Sequence, residues 1–477
     1  MTKIITLLGF LLISCGFAQA QIQTEQIQAL IDREVANKRA KSIIVGIVDS
    51  SGRHIISAGR LSDTDGRKPD GNTMYEIGSI TKVFAGLLLA DLSLENQVQL
   101  DDPVSKFVPS YVRVPAMNGK QITLRHLVSH RAGFPRNPVN VDPGNLDNPF
   151  ADYTPELLYE YISNFTPTRE ANARFQYSNS GFCLLGEVVT KVSGKDFETL
   201  TKERINAALG MDRTVYKLTP QLRENLAPPH LPNGARSSEW DIQLVAGGGL
   251  RSCANDLLTF AAANAGLVQT RLQPAIELSH LPQAKKEGKE FMAMGWTLYN
   301  QNGENIVYKD GSTGGYYSFI GVDKVRKRGI IILSNTSNSV TDLGKHLLDS
   351  RSPVETYTYT WAVYDTVYST VKKRGAKKAI SLYQELKAQQ HPRFSFDEQQ
   401  LLYVGNELRR QNKIKEAIQI YQYNLQEYPK SVNTYDQLAE TYKRQGNKKM
   451  AIETFEKLAA MDDNLRWKWM LAKLKAE

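Results

Sequence analysis

Strand-like runs stand at two places far apart in this chain. Near the start, Ser42–Asp49 is β-branched, Ser51-Gly52 is a turn signal and residues 54–58 continue the pattern, which predicts an antiparallel hairpin. Residues 291–299, 305–309, 316–322 and 329–333 repeat the strand pattern late, and helical spacing over 341–348 closes the segment. Between the two groups lie an apolar helix beginning near Ser79 and ending before Leu100, short helical patches at 124–128, 155–165 and 180–192, and long Pro- and Asn-rich loops. Gly247-Gly248-Gly249-Leu250 then introduces a helix over 255–265. Strands at both ends with helices between them predict one antiparallel sheet flanked by helices, completed where the ends meet, with an inserted all-α lobe and a ligand cleft between the two. A helix over 22–38, with Ile27, Leu30, Ile31 and Val35 on one face, would cover whatever follows it.

At 477 residues the chain is too long for one ordinary core, and two domains plus an export segment are expected. The net charge of +9 is mostly dispersed. Its clearest knots, residues 324–328 and 372–378, read as a hairpin turn and a solvated helix connection, so no nucleic-acid partner is expected. Lys3 precedes an apolar run over 4–13, too short for a stable membrane anchor but suited to the core of a secretory signal. Ala18-Gln19-Ala20 fits cleavage before Gln21, whereas Leu12-Ile13-Ser14-Cys15 resembles a lipoprotein box whose cysteine is lipidated. Either way the protein is expected to be exported, periplasmic or secreted, and held at a membrane only if Cys15 carries lipid. Cys183 and Cys253 read as separate buried thiols, although an oxidising compartment permits one disulfide.

Beyond Pro353 the pattern is helical only. Ala417 with Tyr421 recurs 34 residues later as Ala451 with Phe455, and Pro429 falls where such a unit ends. This resembles the tetratricopeptide pattern, with units at 398–429 and 432–463 and a degenerate one around 361–386; a generic amphipathic tail is the alternative. The domain limits expected are thus 1–20 for the signal, 21–352 for the main domain and 353–477 for the tail. As a repeat module the tail would dock a protein partner, and deleting residues 355–477 would spare the chemistry of the main domain.

Three short motifs bear on that chemistry. Ser79 and Lys82, at i and i+3, share one helical face, so hydroxyl and amine can exchange a proton. Desolvation among Val83, Phe84 and residues 87–89 disfavours the ammonium and makes Lys82 a plausible base. The triplet spacing alone is cheap, since Ser369 and Lys372 match it in the tail; the first match has Gly78 before it and an apolar helix behind it. Tyr177-Ser178-Asn179 precedes a helix: a phenol beside ammonium groups could take and return protons, and Asn179 could hold a substrate amide or orient Lys82. Read alone, it is a packed tyrosine and a helix-capping asparagine. Lys309-Asp310-Gly311-Ser312, between two predicted strands, offers a cation to an anionic group and amides to an oxyanion, or is simply a tight hairpin turn. His126 and His130, four apart, have metal-ligand spacing without an intervening glutamate and are read as structural; no metal or cofactor is expected.

Taken in order, Ser-x-x-Lys, Tyr-x-Asn and Lys-x-Gly make the chain resemble the penicillin-recognising serine hydrolases: class C β-lactamases, low-molecular-weight D,D-peptidases and related esterases. Leu100-Asp101-Asp102-Pro103, Leu124-Arg125-His126-Leu127 and Ala246-Gly247-Gly248-Gly249 look like further family landmarks, and the resemblance covers about residues 25–350. It implies a β-lactamase/transpeptidase-like α/β fold. It also implies Ser79 as the acylated nucleophile, Lys82 as its proton acceptor and Tyr177 as the proton relay. Asn179, Lys309, Gly311 and Ser312 would contact a small-molecule or peptide substrate, with the amides of Ser79 and Ser312 as the oxyanion hole. Asp310 departs from the threonine usual in β-lactamases and sets a carboxylate beside the cation, which favours an ester or peptide over a β-lactam. A catalytically silent sensor or scaffold of the same fold is the alternative function.

Overall fold

The computed structural model describes residues 24–299, 305–355, 361–391 and 394–477, so the expected signal and Cys15 lie outside the described residues. Helix α1 (Thr24–Ala36) leads into strands β1 (Ser42–Asp49) and β2 (Gly52–Gly59), and β3 (Met74–Glu76) runs into a 3-10 turn at Gly78–Ile80 and helix α2 (Thr81–Leu94). The inserted lobe contains α3 (Leu124–Val128), α4 (Pro155–Asn164) and α5 (Asn179–Ser193). The chain then returns through β4 (Arg251–Cys253) and α6 (Ala254–Asn264) to β5 (Ala284–Glu287), β6 (Glu290–Met292), β7 (Thr297–Tyr299), β8 (Ile306–Ser312), β9 (Tyr317–Asp323), β10 (Arg328–Ser334) and α7 (Thr341–Leu348).

Eight strands form one antiparallel sheet in the order β2-β1-β10-β9-β8-β7-β6-β5. The two ends of the domain meet where β1 pairs with β10, Val45 opposite Ile332. Alternation along β1 sends Ile43, Val45 and Ile47 to a core shared with Ile27, Ile31, Leu343 and Leu347, and Ile44 and Val48 to the opposite core. Helices α1 and α7 therefore cover one face and α6 the other, with α2 stacked on α6 through Phe84 and Phe260. Every residue of α2 from Thr81 to Leu92 is buried, the mark of a helix enclosed all round, and each leucine so placed contributes about 1.5–3 kcal/mol.

The strand expected over 291–299 is broken in two. Gly295 adopts a left-handed conformation (φ +81°) and donates its amide to Val128, so the chain leaves the sheet between β6 and β7 to meet the lobe. Cys253 ends a strand rather than lying in a helix, and β3 pairs with β4 in a three-residue ribbon too short to carry a period. Cys183 and Cys253 are both buried free thiols.

Among the described residues the C-terminal region is helical apart from one short bridge between Trp361–Ala362 and Phe394–Ser395. Its helices are α8 (Val363–Arg374), α9 (Ala376–Ala388), α10 (Glu398–Arg410), α11 (Ile414–Glu427), α12 (Val432–Arg444), α13 (Lys448–Met461) and α14 (Leu465–Ala476). Ala417, Tyr421, Ala451 and Phe455 are fully buried between successive helices. This tail does not stand apart: α10, α12 and α14 pack back onto the loop between α3 and α4.

Candidate active site

The turn that carries Ser79 is held from three sides. The Ile77 amide donates to the Leu250 carbonyl at 3.1 Å, Ser318 Oγ on β9 donates to the Ile77 carbonyl at 2.8 Å, and the Leu250 amide donates to Thr81 Oγ1 at 3.1 Å. Just upstream, buried Glu76 accepts from the Trp240 amide (2.8 Å) and faces the Arg251 guanidinium (3.4 Å). Burial nevertheless outweighs Arg251 and pushes the Glu76 carboxyl up to about 7.

Ser79, Lys82 and Tyr177 meet. Ser79 Oγ is 2.7 Å from the Tyr177 hydroxyl and accepts from Lys82 Nζ at 3.1 Å, and Lys82 also donates to the Gly247 carbonyl. Lys82 is fully buried. Burial and the nearby Lys309 lower its pKa against the opposing pull of the Tyr177 oxygen. For Tyr177 burial raises the pKa, but Lys309, Lys82 and the bond to Ser79 outweigh it and bring the phenol down to about 8. Lys309 and Arg136 lie against the ring at 5.4 and 5.0 Å, and His130 packs on it at 4.3 Å.

Strand β8 crosses the serine turn so closely that a Cβ on Gly311 would lie 2.1 Å from the Ile77 carbonyl and 2.9 Å from the Ser79 amide nitrogen. Thr313 donates its amide to Tyr316. Bonding alternates along an antiparallel ladder, so the Ser312 amide points away from β9 and toward Gly78. Gly78 itself has φ +49°, and a Cβ there would be 2.8 Å from the Ser312 nitrogen.

The remaining predicted residues are placed less simply. Asn179 Nδ2 donates to Asn137 Oδ1 at 2.8 Å; the Lys82 ammonium is oriented by Ser79 and the Gly247 carbonyl instead. Buried Lys309 donates to the Asp310 carbonyl (2.6 Å) and pairs with its carboxylate (3.1 Å), while Tyr317 donates to the other carboxylate oxygen. Although burial opposes it, Lys309 draws the Asp310 carboxyl down to about 2, so the pair is fully ionised at neutral pH. Ser79, Asn179 and Ser312 line a cleft of about 620 Å³.

Sequence reasoning missed Gly247, Arg136 and His130 as neighbours of the cluster. Burial holds His130 well below its usual range, and as a neutral ring it accepts the Ser178 amide on Nδ1 at 3.1 Å. His126 Nδ1 accepts the Thr123 amide and completes a helix cap. Each histidine thus spends its Nδ1 on a backbone amide. Among the described residues no group of His, Cys, Asp and Glu is arranged to hold a metal ion.

An antiparallel sheet with an inserted helical lobe, and a serine at the head of the enclosed helix between them, define a serine hydrolase of the β-lactamase/transpeptidase-like fold. Residues 27–349 match the family profile described as Beta-lactamase, and the chain belongs to that family. It is 24% identical over 361 residues to the D-alanyl-D-alanine-carboxypeptidase/endopeptidase AmpH of Escherichia coli K12, covering 70% of this chain and 92% of that one. Similar solved structures include the octameric penicillin-binding protein homologue from Pyrococcus abyssi, with TM-score 0.62, 23% identity and coverage of 73% of this chain and 82% of that one. Another is the Beta-Lactamase/D-Alanine Carboxypeptidase from Pseudomonas syringae, with TM-score 0.61, 20% identity and coverage of 69% and 99%.

Proposed function

We propose that the chain is an exported serine hydrolase that cleaves an ester or amide through an acyl-enzyme on Ser79. The observation that carries this reading is the shared hydrogen bonding of Ser79 Oγ with the Tyr177 hydroxyl at 2.7 Å and Lys82 Nζ at 3.1 Å. Ser79 Oγ attacks the substrate carbonyl carbon while its proton passes to the Lys82 and Tyr177 pair, in which burial lowers the lysine and neighbouring ammonium groups bring the phenol down to about 8. The carbonyl oxygen takes up negative charge facing the amides of Ser79 and Ser312, and Gly311 lets the two backbones that carry those amides come into contact. As the bond to the leaving group breaks, Tyr177 supplies the proton that the departing alkoxide or amine needs. Water then attacks the Ser79 ester, Tyr177 takes its proton, and Ser79 leaves protonated.

Asn179 and Lys309 are assigned to the substrate, Asn179 through its amide at the cleft wall. Because Asp310 already neutralises Lys309, a substrate carboxylate would compete with it, and this favours esters or peptides lacking a carboxylate at that position. The name of the Escherichia coli relative supports a peptidase of D-amino-acid peptides as the amide case. Export rests on the apolar leader and the Ala18-Gln19-Ala20 site. The domain limits 21–352 and 353–477, and a tetratricopeptide-like tail, are supported by the family match ending at 349 and by the buried Ala417, Tyr421, Ala451 and Phe455.

The test is the intact mass of the full mature protein after exposure to a fluorophosphonate, beside a panel of esters, D-amino-acid peptides and penicillins. One adduct is expected, absent in Ser79→Ala, with a neutral ester turned over faster than a penicillin. An unmodified Ser79 and no Ser79-dependent turnover across the panel would reject the enzyme reading in favour of a silent scaffold.

A further inference from the structure

The tail closes on the loop between α3 and α4 through a row of cations. Arg409 and Arg410, at the end of α10, each hold the Asp147 carboxylate at 3.0 Å. Lys443 and Arg444, at the end of α12, reach the Asp142 carboxylate and the Gly144 carbonyl, the latter at 2.6 Å. From α14, Lys473 takes the other oxygen of Asp142 at 2.6 Å and Arg466 donates to the Val141 carbonyl at 3.3 Å. The same loop, through Val141, Leu146 and Phe150, lines the cleft that contains Ser79.

That cleft is completed by the tail itself: Asn433, Asp436 and Gln437 of α12 and Asn464, Arg466 and Trp467 at the head of α14 line it together with Gly78 and Ser79. The charges there are already paired. Arg466 holds Asp436 at 2.7 Å and buried Glu440 at 2.6 Å, and Asn464 is occupied as the cap of α14. What the tail offers to a ligand is therefore the side-chain amides of Asn433, which is exposed, and of Gln437, which is half-buried and whose Nε2 also donates to Asp436 Oδ2 at 3.4 Å. The apolar side chains of Leu146, Phe150 and Trp240 line the same cleft. An uncharged chain carrying both amides and apolar side chains satisfies both sets of residues, whereas a charged or very short acyl group satisfies neither.

We propose that α12 and α14 form the outer wall of the substrate cleft, and that Asn433 and Gln437 bind the part of an extended amide-bearing substrate remote from the bond that Ser79 cleaves. The inference rests on the acyl transfer proposed for Ser79. It makes the tail a determinant of substrate length rather than a separate module.

The experiment compares two fluorophosphonates on the full chain: one bearing only an ethyl group, the other an uncharged, alanine-rich peptide arm long enough to reach α12. Wild-type Ser79 is expected to react faster with the armed probe. The double variant Asn433→Ala, Gln437→Ala should lose that preference by roughly tenfold, two weak hydrogen bonds' worth, while its rate with the ethyl probe stays within about twofold. Asn433→Trp, which narrows the wall without removing Gln437, should also slow the armed probe selectively; it keeps the test decisive if the double variant melts early. Equal rates for both probes in the wild type, or parallel changes for both probes in the variants, overturn the wall while leaving Ser79 an active nucleophile. If neither probe modifies wild-type Ser79, the acyl-transfer reading falls and the wall falls with it.

Discussion

Tyr177 shows how one side chain takes its chemistry from its neighbours. An ordinary phenol ionises near 10, and burial alone would push it higher; Lys309 and Lys82 reverse the sign and bring it to about 8. The phenolate fraction therefore grows as pH rises through about 8. The acylation rate by a neutral ester should climb over that range and level off above it, a limb belonging to the coupled Lys82 and Tyr177 pair rather than to either alone. Tyr177→Phe should abolish the limb and lower the rate roughly 10²–10⁴-fold, read from the pH profile of kcat/KM. A Phe variant that retains the same limb would remove Tyr177 from the relay. The corresponding stability effect has the opposite reach: the depressed pKa favours the folded state fully only above about 10 and is lost as pH falls through about 8, so neutral-pH melting should hardly register it.

At the scale of elements, the site is a crossing of two backbones. The serine turn and β8 touch through Gly78 and Gly311, and the missing Cβ of Gly311 is what lets the Ile77 carbonyl and the Ser79 amide sit where they do. Gly311→Ala should force β8 away from the turn, costing about 1–3 kcal/mol in denaturant unfolding, and should suppress Ser79 labelling by far more than that loss of stability explains. An alanine variant with wild-type stability and labelling would mean that the contact is slack. The regular elements were legible because their signals are strong: β1 is a β-branched run buried on both faces, and α2 is buried all round. The β3–β4 ribbon and the break at Gly295 were not, because three residues carry no period and the break is caused by Val128 of the lobe.

At the scale of the whole molecule, the tail and the catalytic domain share one wall. If α12 and α14 wall the cleft as proposed, removing the tail alters it rather than leaving the chemistry untouched, because Asp142 and Asp147, on the loop that lines the cleft, are held by tail cations. Four pairs at up to about 1 kcal/mol each set a ceiling of about 4 kcal/mol on what the double variant Asp142→Asn, Asp147→Asn should lose in denaturant unfolding. The loop, however, should loosen. Amide hydrogen exchange over 137–150 should quicken and KM for an extended substrate should rise several-fold, with raised salt having a similar effect on the wild type. Exchange and KM that ignore both changes would show that the loop holds its shape without the tail.

What the amino-acid order determined by itself was the inventory: which segments are β-branched, which helix is enclosed, and that a serine, a lysine, a tyrosine and a Lys-x-Gly turn follow one another along the chain. Those properties are local or ordered along the chain, and a period or a motif records them directly. The lowered pKa of Tyr177, the pairing of Lys309 with Asp310, the Gly247 carbonyl on Lys82 and the tail residues in the cleft were decided only by the tertiary structure. Each depends on distances between residues far apart in the chain, and electrostatic and steric energies depend on distance in space, which sequence separation does not encode.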